Sequence, residues 1–320
     1  MKIEVMAVAE ISRRVVNEVE KAIIGKTELL ESIMAAVLAD GHVLLEDYPG
    51  LGKTLLANSL ATALGLAFKR IQFTPDLLPG DITGGYIFNR QTNQFELHKG
   101  PLFANIVLAD EINRASPKTQ SALLEAMQER QVTLEGETMP LPAPFIVFAT
   151  QNPIEYEGTF PLPEAQLDRF IMKLSVGYPT PEEEQEILSR RRTRQQDDVD
   201  LQQVTNEEEL LAMRAAVETI HVDPDIEKYM VSLVTATRHN GRVTVGASPR
   251  GSLALLKLAR ARAAIDGRNY VLPDDVKYFA VPALAHRLIL APELWMRRNA
   301  AESIIGTIVD TTAVPVIESI

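Results

Sequence analysis

The stretch from residue 42 to residue 60 reads HVLLEDYPGLGKTLLANSL. An apolar, strand-like run at 42–45 leads into a glycine-bearing turn, and the turn leads into a helix-like run that begins near Lys53. A strand, a glycine-rich loop and a helix N-terminus in this order point successive backbone N–H groups at one place, where a phosphate can bind. We therefore predict a phosphate-binding loop at residues 46–54.

Each residue type in the loop has a role in this interpretation. Gly50 and Gly52 let the backbone approach a triphosphate closely, Lys53 reaches the β- and γ-phosphates, and Thr54 holds Mg²⁺. One position departs from the usual pattern, since Asp47 stands where a glycine is expected five residues before Gly52. We expect this carboxylate to point away from the nucleotide, because like charges repel.

The composition limits the class of protein. The chain has 320 residues, 46% hydrophobic and 23% charged, which suits one large or two moderate globular domains. It has no cysteine, which excludes disulfides, thiolate metal sites and a cysteine nucleophile and fits a reducing compartment. The formal net charge of -11 repels phosphate backbones, so we expect no nucleic-acid partner.

We also expect a cytoplasmic protein with no membrane span. The start, Met1-Lys2-Ile3-Glu4, lacks the features of a signal peptide. No apolar run approaches the roughly 20 residues that cross a bilayer as a helix.

Short apolar runs alternate with helix-like patterns in the first half of the chain. The candidate strands are 42–46, 67–73, 104–109, 144–150 and 170–176. Their apolarity is continuous rather than alternating, which is typical of strands buried on both faces of a parallel sheet. We predict an α/β domain at residues 1–178 with a five-stranded parallel sheet.

The second half contains repeated helix-start signals. Capping boxes are predicted at 180–183 and 205–208, and a capping residue precedes proline at 223–224 and 248–249. No further strand-like run of comparable quality follows. We predict an all-helical domain at residues 179–320.

Two segments inside the α/β domain are predicted to be inserted β-hairpins. Residues 84–88 and 94–98 flank a polar turn, and residues 131–135 and 137–141 flank Gly136. The tip of the second hairpin is acidic.

The run from Ile106 to Glu111 is an apolar strand that ends in two carboxylates. Beside the phosphate loop, Asp110 can hold the water shell of Mg²⁺, and Glu111 can deprotonate an attacking water. A buried strand that ends in a solvated Asp-Glu pair is the alternative, and the order of the two motifs favours the catalytic interpretation.

The strand at 145–150 ends near Asn152 and Pro153. The amide of Asn152 can hydrogen-bond the γ-phosphate or the attacking water. The alternative is that these two residues only begin a turn.

Two arginines are candidate nucleotide contacts. Arg169 precedes the last strand, far from the phosphate loop, so we expect it to act on a neighbouring subunit as an arginine finger. The alternative is a surface pair with Asp168. Arg250 begins a helix of the second domain, where a cation is electrostatically misplaced unless an anion compensates it. We therefore expect an anion near Arg250, and an exposed arginine without a role is the alternative.

The chain strongly resembles the MoxR family of AAA+ ATPases. The resemblance rests on DEINRA at 110–115, KTQSALLEAMQE at 118–129, ATQNP at 149–153 and LPEAQLDRF at 162–170, and it covers essentially the whole chain. It implies a Walker A motif at residues 50–54, a Walker B motif at Asp110 and Glu111, sensor 1 at Asn152, the arginine finger at Arg169 and sensor 2 at Arg250. It also implies that residues 23–25 border the adenine.

The predicted site residues fall into three groups. The catalytic candidates are Glu111, Asn152 and Arg169. The candidates for ATP binding are Ile23, Ile24, Gly25, Pro49, Gly50, Leu51, Gly52, Lys53, Thr54, Leu55, Asp110 and Arg250. The candidates for holding Mg²⁺ are Thr54 and Asp110.

The resemblance also implies a function and partners. Members of the family are similar to chaperones that use ATP hydrolysis to remodel or activate client proteins. They often act with partners that carry a von Willebrand factor A (VWA) domain, and sometimes in the maturation of metal-dependent enzymes. A homo-oligomeric ring, with a hexamer as the family expectation, is implied as well. The alternatives are a motor similar to magnesium chelatase or the MCM helicases, and a nucleotide switch that does not hydrolyse ATP.

Overall fold

The structure, a computed structural model, describes residues 3–152, 159–295, 297 and 299–315. The strands are β1 His42–Glu46, β2 Phe68–Gln72, β3 Gly84–Asn89, β4 Gln94–Lys99, β5 Ile106–Asp110, β6 Gln131–Leu134, β7 Glu137–Pro140, β8 Ile146–Gln151, β9 Phe170–Leu174, β10 Val243–Val245 and β11 Ile289–Leu290. The helices are α1 Val5–Val19, α2 Thr27–Leu38, α3 Lys53–Leu64, α4 Pro79–Thr83, α5 Pro117–Glu129, α6 Glu164–Leu167, α7 Pro181–Arg194, α8 Glu207–Glu218, α9 Pro224–Arg238, α10 Pro249–Ile265, α11 Pro273–Leu284 and α12 Ala300–Thr311.

The central sheet has five parallel strands in the order β2-β5-β8-β1-β9. The five predicted strands are therefore confirmed, with small shifts at their ends. Because β5, β8 and β1 are neighbours, the carboxyl ends of these three strands meet at the middle of one sheet edge. Ligands bind at this edge in open α/β sheets.

Side chains on the two faces of β1 belong to different cores. Val43 and Leu45 pack into a cluster that includes α1, α2, α3 and most of the second half of the chain. Leu44 packs on the other face with residues of β5, α5 and the second hairpin. The continuous apolarity of this strand thus reflects burial on both faces.

The second half of the chain covers the edge of the sheet that β9 forms. A short turn at residues 285–287 follows α11 and contacts β9, where His286 Nε2 lies 3.1 Å and Arg287 Nη2 lies 2.7 Å from the carbonyl oxygen of Phe170. One hydrophobic cluster runs from the sheet into this helical part. The exact division at residues 178 and 179 stays a prediction.

The helical character of the second half is confirmed, with one departure. Val243–Val245 and Ile289–Leu290 form a two-stranded antiparallel pair that is not among the predicted elements. The strands are too short for an alternating pattern to stand out, and their pairing joins segments far apart in the chain. At α8 the capping residue is Asn206, whose side chain accepts from Glu209 N, rather than Thr205.

Both inserted hairpins are present as β3–β4 and β6–β7. At the tip of the second hairpin, Glu135 and Gly136 both have positive φ, as a tight two-residue turn requires. The hydroxyl of Tyr86 donates to Glu137 Oε2 at 2.8 Å, so the two hairpins contact each other.

Candidate nucleotide site

The phosphate loop between β1 and α3 has the backbone that its glycines predict. Gly50 has φ of +82° and Gly52 has φ of +75°, a region that favours glycine. A Cβ added at either position would meet no atom within 4 Å, which leaves space beside the loop. Helix α3 begins without a capping side chain and without an acidic residue in its first turn. Its positive end is therefore available to an anion.

Lys53 is oriented by the loop itself. Its Nζ donates to the carbonyl oxygens of Asp47 at 3.0 Å and Tyr48 at 2.9 Å. Burial lowers the pKa of Lys53, while the carboxylates of Asp47, Asp110 and Glu111 act in the opposite direction. The ammonium group is thus partly desolvated, which strengthens its interaction with a phosphate.

Asp47 points away from the phosphate cavity, as the sequence predicts. Its carboxylate accepts hydrogen bonds from Ser175 Oγ at 2.9 Å and from the backbone N–H groups of Val176 and Gly177. The side chain is buried. The aspartate that replaces the usual glycine therefore holds the loop against the segment that follows β9.

Asp110 and Glu111 are held in place by Thr150 on the neighbouring strand β8. The Thr150 hydroxyl donates to Asp110 Oδ1 at 2.7 Å and accepts from the backbone N–H of Glu111 at 2.8 Å. Glu111 has φ of +56°, a left-handed conformation that costs roughly 1–2 kcal/mol for a residue with a Cβ. The hydrogen bond from the Glu111 backbone N–H to Thr150 offsets part of this cost and fixes the position of the Glu111 backbone.

Three further side chains contact the two carboxylates, and none of them is among the predicted site residues. Arg70 and Gln72 lie on the edge strand β2, where Arg70 donates to Asp110 Oδ2 and Gln72 Nε2 donates to Glu111 Oε2 at 2.8 Å. Arg114 Nη1 lies 2.9 Å from the same Glu111 oxygen. The alternation of polar residues at 70 and 72 was a usable signal, because both side chains then face the same way.

One cavity of about 260 Å³ brings most predicted residues together. Its lining comprises Pro49, Gly50, Leu51, Gly52, Lys53, Thr54, Arg70, Asp110, Glu111, Thr150, Gln151 and Asn152. Thr54 and Asp110 offer a hydroxyl and a carboxylate, the hard oxygen ligands that Mg²⁺ uses together with phosphate oxygens. The donor set therefore fits a magnesium-bound nucleotide. Among the described residues, no group of three or more His, Cys, Asp or Glu forms a different metal site.

The remaining predicted residues lie outside this cavity lining. Leu55 follows Thr54 on α3 and is partly exposed. Ile23 is buried, and Gly25 packs against the Glu183 side chain at the start of α7. A contact of Ile23, Ile24 and Gly25 with an adenine stays a prediction.

A larger hollow, of about 1290 Å³, adjoins the phosphate loop at Tyr48 and extends between β9 and the helical part. Lys173 lies in its wall and bridges Glu46 at 2.8 Å and Glu302 of α12 at 3.4 Å. Burial alone would lower the pKa of Lys173, but the two carboxylates outweigh burial and raise it. This ion pair connects the sheet to the last helix.

Arg250 does not line the phosphate cavity of its own chain, and its contact with a nucleotide stays a prediction. It lines a second hollow of about 260 Å³, together with Arg169. This hollow includes His42 at the start of β1, whereas the phosphate loop follows the end of that strand. Five strand residues separate the two places by roughly 15 Å. Arg169 and Arg250 thus form one cationic surface, remote from the phosphate cavity of their own chain.

Asp168 organises this cationic surface. Its carboxylate binds the buried Arg287, accepts from Ser248 Oγ at 2.9 Å, and lies 3.9 Å from Arg250 Nε. Arg169 instead donates from Nε to Gln128 Oε1 at 3.0 Å. Asp168 and Arg169 therefore have these partners instead of forming the surface pair that was the alternative role of Arg169.

The fold and the site define a P-loop protein of the AAA+ class. Residues 42–172 match the family described as "ATPase family associated with various cellular activities (AAA)", and residues 235–308 match the AAA lid domain. The chain is similar to YeaC of Bacillus subtilis, with 50% identity over 303 residues that cover 95% of this chain and 94% of that protein. The chain is also 43% identical to Chaperone MoxR1 of Mycobacterium tuberculosis over 316 residues. This match covers 96% of this chain and 83% of that protein.

A solved structure shows the same fold. The crystal structure of a candidate ATPase from Cytophaga hutchinsonii superposes with a TM-score of 0.91 at 40% identity and covers 98% of this chain and 97% of that one. The chain belongs to the MoxR family of AAA+ ATPases. No described helix is long and apolar enough to cross a membrane.

Proposed function

We propose that the chain hydrolyses ATP with Mg²⁺ and uses the reaction to remodel or activate client proteins. The observation that carries the hydrolytic part is the single cavity in which Lys53, Thr54, Asp110, Glu111 and Asn152 lie together. Phosphoryl transfer depends almost entirely on positioning and on charge stabilisation, and these groups can supply both.

Each residue has a defined part in this reaction. Lys53 binds the β- and γ-phosphates, and Thr54 and Asp110 hold the metal. Mg²⁺, when bound, neutralises charge on the transferred phosphoryl group. Glu111 accepts the proton of the attacking water, and the Asn152 amide orients that water or the γ-phosphate. Gln72 and Arg114 both contact Oε2 of the Glu111 carboxylate, so we assign the proton of the attacking water to Oε1.

The remaining positive charge comes from a second copy of the chain. Arg169 and Arg250 share a surface about one strand length from their own phosphate cavity. A contact between this surface and the cavity of a neighbour joins two different patches, and repetition of such a head-to-tail contact closes a ring. A hexamer is the family expectation.

The client and partner proposals rest on the family alone. One relative carries the name Chaperone MoxR1. A partner with a VWA domain, a role in maturation of metal-dependent enzymes, and a cytoplasmic location stay predictions. A helicase-like motor is disfavoured by the acidic tip at Glu135 and Glu137 and by the net charge of -11.

ATP binding and hydrolysis by three variants test the proposal. Lys53→Ala is expected to abolish ATP binding. Glu111→Gln is expected to retain ATP binding and to turn over at least about tenfold more slowly, because general-base catalysis contributes about 10² to 10⁴ in rate. Glu135→Gln, the same change at an exposed hairpin tip, is the matched control and should hydrolyse ATP normally. Unchanged hydrolysis in Glu111→Gln would refute the assignment, and ATP binding with no turnover in the wild type would favour the nucleotide switch.

Glu111→Gln also serves as a trap for the client. Bound ATP should hold a client on this variant longer than on the wild type. A protein recovered with Glu111→Gln in ATP, but not with Lys53→Ala, would be the candidate client. Recovery of the same proteins with both variants would argue against ATP-dependent remodelling.

A further inference from the structure

Arg70 occupies a position that the proposed function leaves unexplained. It lies on the edge strand β2, where its Nη2 donates to Asp110 Oδ2 at 2.6 Å and its Nε donates to the same oxygen at 3.1 Å. Both donors of the guanidinium fork therefore converge on one oxygen of the carboxylate that would hold the metal.

The other oxygen of Asp110 is already engaged. Asp110 Oδ1 accepts from the Thr150 hydroxyl, which also accepts from the Glu111 backbone. Moving Thr150 would disturb the strained turn at Glu111. Oδ2 is therefore the oxygen that can be given to the water shell of a metal ion, and it is the oxygen that Arg70 holds.

Arg70 is held in a way that permits release. Its side chain is 47% exposed, and within the described part of the chain its hydrogen-bond partners are Asp110 and Gln72. An exposed guanidinium is resolvated by water when it leaves a carboxylate, so the release costs little. Arg70 also lines the phosphate cavity, where nucleotide phosphates can accept its hydrogen bonds.

We propose that Arg70 competes with Mg²⁺ for Asp110 and thereby sets the metal concentration at which the site accepts a nucleotide. Arg70 must release Oδ2 before this oxygen can hold the metal's water shell, since its two lone pairs already accept the Nε and Nη2 donors of Arg70. This inference rests on the proposed function, because it concerns the same magnesium site.

The contact of Arg70 with Gln72 gives the competition a second consequence. Arg70 Nη2 donates to Gln72 Oε1 at 2.7 Å, while Gln72 Nε2 donates to Glu111. One chain of hydrogen bonds thus connects the residue that holds the metal with the residue that activates water. Departure of Arg70 removes the contact that fixes the Gln72 amide and loosens the hold of Gln72 on Glu111.

Magnesium titrations of nucleotide binding test the proposal without any measurement of turnover. A fluorescent, non-hydrolysable ATP analogue at fixed concentration is titrated with MgCl₂, and the half-saturating Mg²⁺ concentration is recorded. Arg70→Ala is expected to lower this concentration by about three- to tenfold, the range for loss of a partly exposed charged hydrogen bond. Lys69→Ala is the matched control, because it removes an exposed cation from the same strand, on the opposite face of the pleat.

A third variant separates charge from contact. Arg70→Lys keeps the charge but lacks the fork that places two donors on Oδ2, so its half-saturating Mg²⁺ concentration should lie between those of the wild type and Arg70→Ala. A value for Arg70→Ala equal to that of Lys69→Ala would overturn the proposal. So would an Arg70→Lys value equal to that of the wild type, because charge alone would then be acting. If the wild type binds no analogue with Mg²⁺, the proposed function fails instead.

Discussion

The carboxylate of Asp47 accepts a hydrogen bond from the Ser175 hydroxyl at 2.9 Å and so connects the start of the phosphate loop to the segment after β9. The backbone N–H groups of Val176 and Gly177 donate to the other carboxylate oxygen. Because the Asp47 carbonyl also accepts from Lys53, one residue positions both the loop and its lysine. The acid at a position where glycine is usual is therefore a structural anchor.

We expect Asp47→Asn to destabilise the protein by about 1–3 kcal/mol. An amide can offer one oxygen to donors that now use two, and its NH₂ group would face another N–H. Ser175→Ala is the graded control, with an expected loss of about 0.5–1.5 kcal/mol for one hydrogen bond. Urea denaturation measures both values. Equal stability of Asp47→Asn and the wild type would show that the anchor contributes nothing.

Local patterns were sufficient to predict the sheet, the loop and the Asp47 orientation. A five-residue buried strand and a glycine turn depend on neighbouring residues, and the repulsion between Asp47 and a triphosphate needs no tertiary knowledge. The contact of Arg70 with Asp110 was not predictable in the same way. It depends on β2 pairing with β5, and this pairing is a property of the folded sheet.

The location of Arg250 was not predictable from local patterns for a related reason. A helix-start signal at Ser248 and Pro249 places Arg250 on its helix, and this part of the prediction is confirmed. Helix α10 packs against α11, and the turn after α11 contacts β9 through His286 and Arg287, so these contacts determine which end of the sheet α10 reaches. These contacts join residues more than a hundred positions apart, so no local pattern records them.

Arg287→Met should destabilise the protein by about 3–5 kcal/mol. The Arg287 side chain is 3% exposed and binds Asp168 together with the carbonyl oxygens of Asp168, Phe170 and Ala283. Its removal leaves a carboxylate without its main partner in a poorly solvated place. Arg190→Met, which breaks an exposed pair with Glu186, is the control, and its expected cost is about 0–1 kcal/mol. Similar losses for the two variants in thermal and urea unfolding would contradict this account.

Mixed assemblies should show that both arginines act on a neighbour. Arg169→Ala and Arg250→Ala protomers are each expected to be inactive alone. Mixing either one with Lys53→Ala should restore ATPase activity, because some interfaces then combine an intact phosphate loop with an intact cationic surface. No recovery in mixtures whose assembly is verified by labelled subunits would contradict action in trans.

A mixture of Arg169→Ala with Arg250→Ala discriminates the two possible positions of Arg250. If a neighbour supplies both arginines, every interface in this mixture lacks one of them, and activity stays low. If Arg250 acted within its own chain, some interfaces would contain a complete set and activity would recover. The structure predicts the first result, since Arg169 and Arg250 line one hollow.

Acid should weaken the fold through two buried histidines. Burial lowers the pKa of His42 and of His286 to about 3, with further lowering by Arg130 at His42 and by Arg287 at His286. Since the unfolded chain binds these protons near pH 6.5, it holds more protons than the folded chain between about pH 3 and pH 6.5. The stabilisation is therefore complete above about pH 6.5 and falls by about 1.4 kcal/mol per pH unit for each histidine below it. Urea denaturation at pH 7.0 and pH 5.5 should show a smaller pH effect in His42→Gln than in the control His98→Gln, where an exposed histidine is replaced. An equal pH effect in the two variants would mean that His42 is not the group whose protonation unfolds the protein.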